Sequence, residues 1–102
     1  MTQRYLKLAD VMRRLGVDTR LVEILEAESL IHPKHTLEDD VIISTEDAER
    51  LRVIRILTEE MEVNLAGAEV ILHMREEMLA MQQQFDEILA TLVAELRQRL
   101  KS

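Results

Sequence analysis

The chain has 102 residues, of which 13 are basic and 20 are acidic, so its formal net charge is -7. This balance disfavours a nucleic-acid partner, because binding to phosphates depends on cationic side chains, and the absence of cysteine excludes disulfides, thiolate metal sites and a cysteine nucleophile. No apolar run approaches the roughly 20 residues that span a bilayer, so we expect a soluble, cytoplasmic protein.

Two short helices are predicted at the start of the chain, separated by a tight turn. In the first helix, apolar residues recur at helical spacing until Gly16, a residue type that commonly ends a helix. The second begins after Asp18 or Thr19, either of which suits an N-cap, and stops near Ser29. The apolar residues of the two helices are Leu8, Val11, Met12, Leu15, Leu21, Val22, Ile24 and Leu25.

The helical period fails after Pro33. The β-branched run Val41-Ile42-Ile43 that follows predicts a small β-hairpin or wing. Ser44 is a suitable N-cap, and Asp47 supplies an acid near the positive end of the helix dipole. A third helix is therefore predicted over residues 45–60.

The strongest pattern is an amphipathic helix over residues 64–100, with Asn64 as its N-cap. A fold-back near residues 82–84 is the alternative, but that stretch lacks turn residues. At ~1.5 Å per residue the helix is about 55 Å long, which is longer than the segment ahead of it can cover, so we expect it to pair two copies of the chain. The predicted seam keeps a 3-4 spacing over Ile71, Met74, Met78, Met81, Phe85, Ile88 and Leu92.

With this order of elements, the chain resembles the MerR-like winged helix-turn-helix proteins. Three phrases carry the resemblance, namely Leu15-Gly16-Val17-Asp18-Thr19, Glu28-Ser29-Leu30-Ile31-His32-Pro33 and Ser44-Thr45-Glu46-Asp47-Ala48-Glu49-Arg50-Leu51. A fourth, Val63-Asn64-Leu65-Ala66-Gly67-Ala68, is similar to the heat-shock-regulator and chaperone-modulator branches. The resemblance implies a mainly α fold, with a winged helix-turn-helix-like domain at residues 1–63, a small β wing, and a long C-terminal coiled-coil helix at residues 64–102 that forms a homodimer.

The departures from the DNA-reading members of that group concern charge. Those members usually carry arginine and aromatic residues in the second helix and an Arg-Tyr pair at the wing, where this chain carries Glu23, Glu26, Glu28, Glu38, Asp39 and Asp40. Carboxylates repel phosphates at close range, so we predict that these acids form a docking surface for a basic protein. An ordinary solvated face is the alternative.

What remains resembles the CbpM-like chaperone modulators, which bind the J-domain of a DnaJ-like co-chaperone and restrain its activity. J-domains typically present a basic helix, which complements an acidic surface. The alternative function is a dimeric MerR-like transcriptional regulator that contacts phosphates through Arg13, Arg14 and Arg20.

Other chemistry is disfavoured by the motifs. His32, His35 and Glu38 are ligand types for zinc, but their loop setting gives no rigid geometry, so we expect no metal and no cofactor. With two glycines, the chain lacks the usual glycine-rich loop that binds phosphates. It also contains no nucleophile elbow and no metalloprotease motif. We therefore expect a protein without enzymatic activity.

Overall fold

The computed structural model describes residues 4–101 and has a mainly α fold with one small sheet. In chain order, the elements are β1 (Tyr5–Lys7), α1 (Leu8–Leu15), α2 (Thr19–Ala27), β2 (Lys34–His35), β3 (Val41–Ser44), α3 (Thr45–Arg55) and α4 (Leu65–Lys101). A π-helical turn, Ile56–Glu60, extends α3. The predicted fold class is therefore confirmed. Contacts group the chain into one compact unit that runs through Glu69 and a second that begins at Val70.

Local caps set the ends of the first two helices. Gly16 ends α1 with a left-handed φ of 68°. The carboxylate of Asp18 is the N-cap of α2. Ser29 ends α2 with a φ of 59°, and there the Leu30 N–H donates to the Leu25 carbonyl at 2.9 Å. Both predicted helices are confirmed, and their ends follow from hydrogen bonds made within one or two turns.

The sheet has the strand order β1-β3-β2, and both pairs of strands are antiparallel. β2 and β3 form the predicted wing, with His35 opposite Val41. β1 was not predicted, because its three residues are all exposed and show no alternation of apolar and polar side chains. It is held by pairing with the central strand, where Leu6 lies opposite Ile43.

The core of the first unit is aliphatic. Burial of each such side chain contributes about 1.5–3 kcal/mol, which makes these residues the main source of stability. Ile24, which was predicted to lie on the apolar face of the second helix, is exposed instead. The completely buried side chains of this unit are Leu25, Ile31, Ile43, Leu51, Ile54 and Ala68.

A buried carboxylate joins α3 to the segment that follows α2. Asp47 is 6% exposed, and its carboxylate accepts the His32 backbone N–H at 2.7 Å. The Asp47 N–H donates to the hydroxyl of Ser44, the predicted N-cap, at 3.1 Å. In the second turn of α3, a side-chain nitrogen of Arg50 donates to the Leu30 carbonyl at 3.1 Å. The N-terminal half of α3 therefore fixes the chain where it leaves α2 and approaches the wing.

α4 is one uninterrupted helix from Leu65 to Lys101, which excludes the fold-back near residues 82–84. Its N-cap is Asn64 as predicted, because the Asn64 side chain accepts the Gly67 N–H at 2.8 Å. A Cβ on Gly67 would lie 3.1 Å from Val63 Cγ1 and 3.2 Å from Asn64 Oδ1. This glycine therefore makes room for the cap. Within residues 4–101, no helix has the length and apolar character needed to cross a bilayer.

Replacement of Asp47 by alanine should lower the free energy of unfolding by about 1–3 kcal/mol, because it leaves the His32 N–H without its acceptor. Asp47→Asn is the matched control, since its amide oxygen still accepts that N–H, and it should retain most of the stability. Urea denaturation at one protein concentration measures both. Equal losses in the two variants would contradict the assigned hydrogen bond.

The left-handed residues at the ends of α1 and α2, Gly16 and Ser29, give a pair of predictions with opposite signs. Gly16→Ala should destabilise the protein by about 1 kcal/mol, because alanine adopts a positive φ with strain, while no atom within 4 Å of the new Cβ adds a clash. Ser29→Gly should stabilise it by several tenths of a kcal/mol, since glycine adopts the same backbone without that strain. Denaturation midpoints of the two variants check the signs.

Candidate functional site

The exposed face of α2 is acidic. Glu23 and Glu26 lie on the helix, Glu28 follows its last residue, and all three are exposed. Within residues 4–101 no hydrogen bond or ion pair holds their carboxylates. Arg20, in the first turn of α2, is the basic residue of this helix. The solvent-exposed surface of α2 therefore carries a net negative charge.

The wing carries the other three predicted acids in its loop. The Thr36 N–H donates to the Asp40 carbonyl at 2.8 Å, and the Asp40 N–H donates to the Thr36 hydroxyl at 3.1 Å. Asp39 has a φ of 69°, a left-handed conformation that aspartate adopts more readily than most residues. Glu38 is exposed, and Leu37 beside it is fully exposed. The loop is therefore held by its backbone, and its side chains face outward.

A groove of about 260 Å³ lies between the wing loop and the start of α1, and we refer to it as the wing groove. Its lining is partly apolar and partly charged. Asp39 and Asp40 belong to it, whereas the sequence had grouped these two acids with those of α2. The α1 side of the groove was missed, because no sequence signal places the start of α1 beside the wing. The remaining lining residues used below are Lys7, Leu8, Met12 and Val41.

The basic residues predicted as an alternative nucleic-acid interface lie at the turn between α1 and α2. Arg13 and Arg14 are in the last turn of α1, and Arg20 is in the first turn of α2. Arg13 forms an ion pair with Asp10 on its own helix. Exposed pairs of this kind are weak, but they partly neutralise the cation. All three arginines are exposed, and the acids of α2 adjoin them in sequence.

A second cavity, of about 290 Å³, adjoins the junction around Asp47. Lys34 Nζ donates to the Tyr5 hydroxyl at 3.0 Å on its wall, and His32 Nδ1 lies 3.9 Å from the Asp47 carboxylate. His32 therefore faces α3 and does not form a metal-ligand set with His35. In the part of the chain that the structure describes, no three His, Asp or Glu side chains are arranged to hold a metal ion.

The predicted seam on α4 is exposed along its whole length in the single chain. Its side chains are between 40% and 69% exposed, from Ile71 to Met78, and the other members fall between these two. Contiguous exposed apolar surface of this extent is typical of a protein interface. The seam residues are Ile71, Met74, Met78, Met81, Phe85, Ile88 and Leu92, and further exposed apolar residues of α4 are Val70, Leu79, Leu89, Val93, Leu96 and Leu100.

Comparison with known proteins identifies one family. A family model described as MerR HTH family regulatory protein matches residues 6–89. The matched stretch begins within β1, contains the helix-turn-helix, the wing and α3, and ends on α4 within the predicted seam. A search of curated proteins finds no match to the sequence.

Proposed function

Since the chain belongs to the MerR helix-turn-helix family of regulatory proteins, we propose that it is a non-enzymatic regulator that acts by binding another protein. We propose that this partner is the J-domain of a DnaJ-like co-chaperone in the cytoplasm, and that the bound chain restrains its activity. The observation that carries the proposal is the negative charge of the two elements that a winged helix-turn-helix would otherwise bring to DNA, α2 and the wing loop.

Charge separates a basic protein from DNA as the partner. Two unit charges 4 Å apart interact by about 1 kcal/mol in water and about 4 kcal/mol at the effective dielectric constant of a protein surface. Glu23 and Glu26 on α2, together with Glu28 just after it, supply three carboxylates, and Arg20 supplies the one guanidinium of the helix. The total electrostatic interaction of these charges is repulsive with phosphates and attractive with a basic helix. The charge of this surface therefore supports protein binding.

We also propose that α4 pairs two copies of the chain through the seam. A second copy offers an identical apolar stripe, which is the partner that a self-complementary interface requires. Full burial of each large apolar side chain contributes about 1.5–3 kcal/mol, so burial of the seven seam residues of each copy would supply the main free energy that opposes the entropic cost of association. The family match reaches residue 89 and so includes most of the seam.

Binding to a J-domain should be measurable by calorimetry, should weaken as salt is added, and should fall about tenfold or more when Glu23 and Glu26 are both changed to lysine. Glu69→Lys together with Glu77→Lys changes the charge equally on α4 and is the matched control. Its affinity should stay near that of the wild type. Absence of binding across the J-domains of the host would contradict the proposed partner.

Retention on heparin or duplex DNA distinguishes the proposed protein binding from DNA binding. At low salt the wild-type chain should pass over heparin or duplex DNA without retention, because its acidic elements repel polyanions. Tight retention that falls steeply with salt, and that is lost in a variant with Arg13, Arg14 and Arg20 changed to glutamine, would instead establish a DNA-binding regulator.

Pairing through α4 has its own test. The wild-type chain should sediment as a dimer at micromolar concentration, and Phe85→Glu should raise the dissociation constant of the dimer about 100-fold or more, because it places a charge in an apolar interface. Gln83→Glu adds the same charge on the opposite side of the helix and should leave the dimer intact. A wild-type monomer would refute the pairing.

A further inference from the structure

We infer that the wing groove receives a lysine or arginine side chain from a basic segment of the partner protein. Its apolar lining comes from Leu8, Met12 and Val41, and its charged rim includes Asp39 and Asp40. The inference deepens the proposed function, because it names where a basic partner docks. It rests on that function only for the identity of the partner.

The lining matches the two chemical parts of a long basic side chain. Lysine and arginine carry an apolar methylene stem that ends in a cation, and they bury the stem where the cation reaches a polar rim. The stem fits against Leu8, Met12 and Val41, all of which are half-buried and so present apolar surface to the groove. The volume of about 260 Å³ is below the roughly 300 Å³ at which small-molecule pockets begin, and it suits one side chain.

The charges at the rim select a cation. Two carboxylates, Asp39 and Asp40, stand against one ammonium, Lys7. Within residues 4–101 neither carboxylate is engaged in a hydrogen bond or ion pair, so both remain available to an incoming guanidinium or ammonium. The two hydrogen bonds between Thr36 and Asp40 already hold the loop, so little ordering is required on binding.

Leu37 extends the same surface. It is fully exposed at the tip of the loop, immediately before the acids. A large apolar side chain in that position contributes favourable free energy only when a partner covers it and removes it from water. A basic segment whose cation enters the wing groove would bring neighbouring apolar side chains against Leu37.

The first experiment tests the groove without any J-domain. The full chain labelled with ¹⁵N is titrated with N-acetyl-arginine amide and, in parallel, with N-acetyl-citrulline amide, a neutral molecule of nearly the same shape. The amide signals of Met12, Asp40 and Val41 should shift with the arginine compound and stay unchanged with the citrulline compound. The shifts should vanish in the double variant Asp39→Asn, Asp40→Asn, which keeps the fold because asparagine also adopts the left-handed backbone of position 39.

The second experiment measures J-domain affinity at low salt. The double asparagine variant should bind about tenfold more weakly. Glu38→Gln removes a charge in the same loop but outside the groove, and it should change the affinity by less than about twofold. Lys7→Met removes the repelling ammonium and should bind about two- to threefold more tightly.

The outcomes separate the inference from the proposed function. Equal shifts with the two small compounds, or equal J-domain binding by the wild type and the double variant, overturn the wing groove while the partner stands. An equal loss for Glu38→Gln also overturns it, because the acids would then act as a diffuse field. Arginine shifts without J-domain binding support the groove and overturn the partner. Concentration-dependent shifts of the same amides without any ligand would show that a second copy fills the groove, and would overturn the inference.

Discussion

Asp47 accepts the His32 backbone N–H from within the first turn of α3, and the rest of the first unit is arranged around that contact. A carboxylate that is 6% exposed is costly unless donors surround it, and here the positive end of the helix dipole and a backbone N–H provide the compensation. The contact fixes the chain between α2 and the wing at the point where α3 begins.

The wing depends on the same junction at both of its ends. β2 begins at Lys34, two residues after His32, and β3 ends at Ser44, whose hydroxyl caps α3. Both strands are therefore anchored at one place, and β1 covers the other edge of β3. The loop at residues 36–40 is carried at the far end of this support. Its acids Asp39 and Asp40 thus occupy defined positions beside α1. A groove that binds one kind of side chain selectively requires such fixed positions.

The features of the fold that are predictable from the sequence are those that local chemistry determines. Gly16, Asp18, Ser44 and Asn64 each end or begin a helix through bonds to residues a few positions away. Three of them were predicted outright, and Asp18 was one of two candidates for its cap. β1 and the wing groove were missed because they depend on pairing and packing between distant segments, and a three-residue exposed strand has no periodicity.

Asp47 shows the same limit in a single residue. An acid three positions after a helix cap is ordinarily a solvated charge near the dipole, and the sequence offered no reason to bury it. Its acceptor role became visible only once α2 had brought His32 alongside α3. The six predicted docking acids show the same limit. They were predicted as one surface from their charge alone, whereas in the fold two of them, Asp39 and Asp40, line a groove with α1. Whether they bind a partner stays a prediction.

The spacing of apolar residues on α4 bears on how far the proposed pairing of two copies would extend. From Ile71 to Leu92 the seam repeats every seven residues, which imposes a left-handed supercoil on a pair of helices. Glu95 then takes the next seam position, and the apolar stripe continues through Leu96 and Leu100. Leu96 follows Phe85 by eleven residues, and an isolated spacing of this kind locally unwinds a left-handed supercoil. In the proposed pair, the left-handed supercoil would therefore be regular from Ile71 to Leu92 and locally unwound from Glu95 onward.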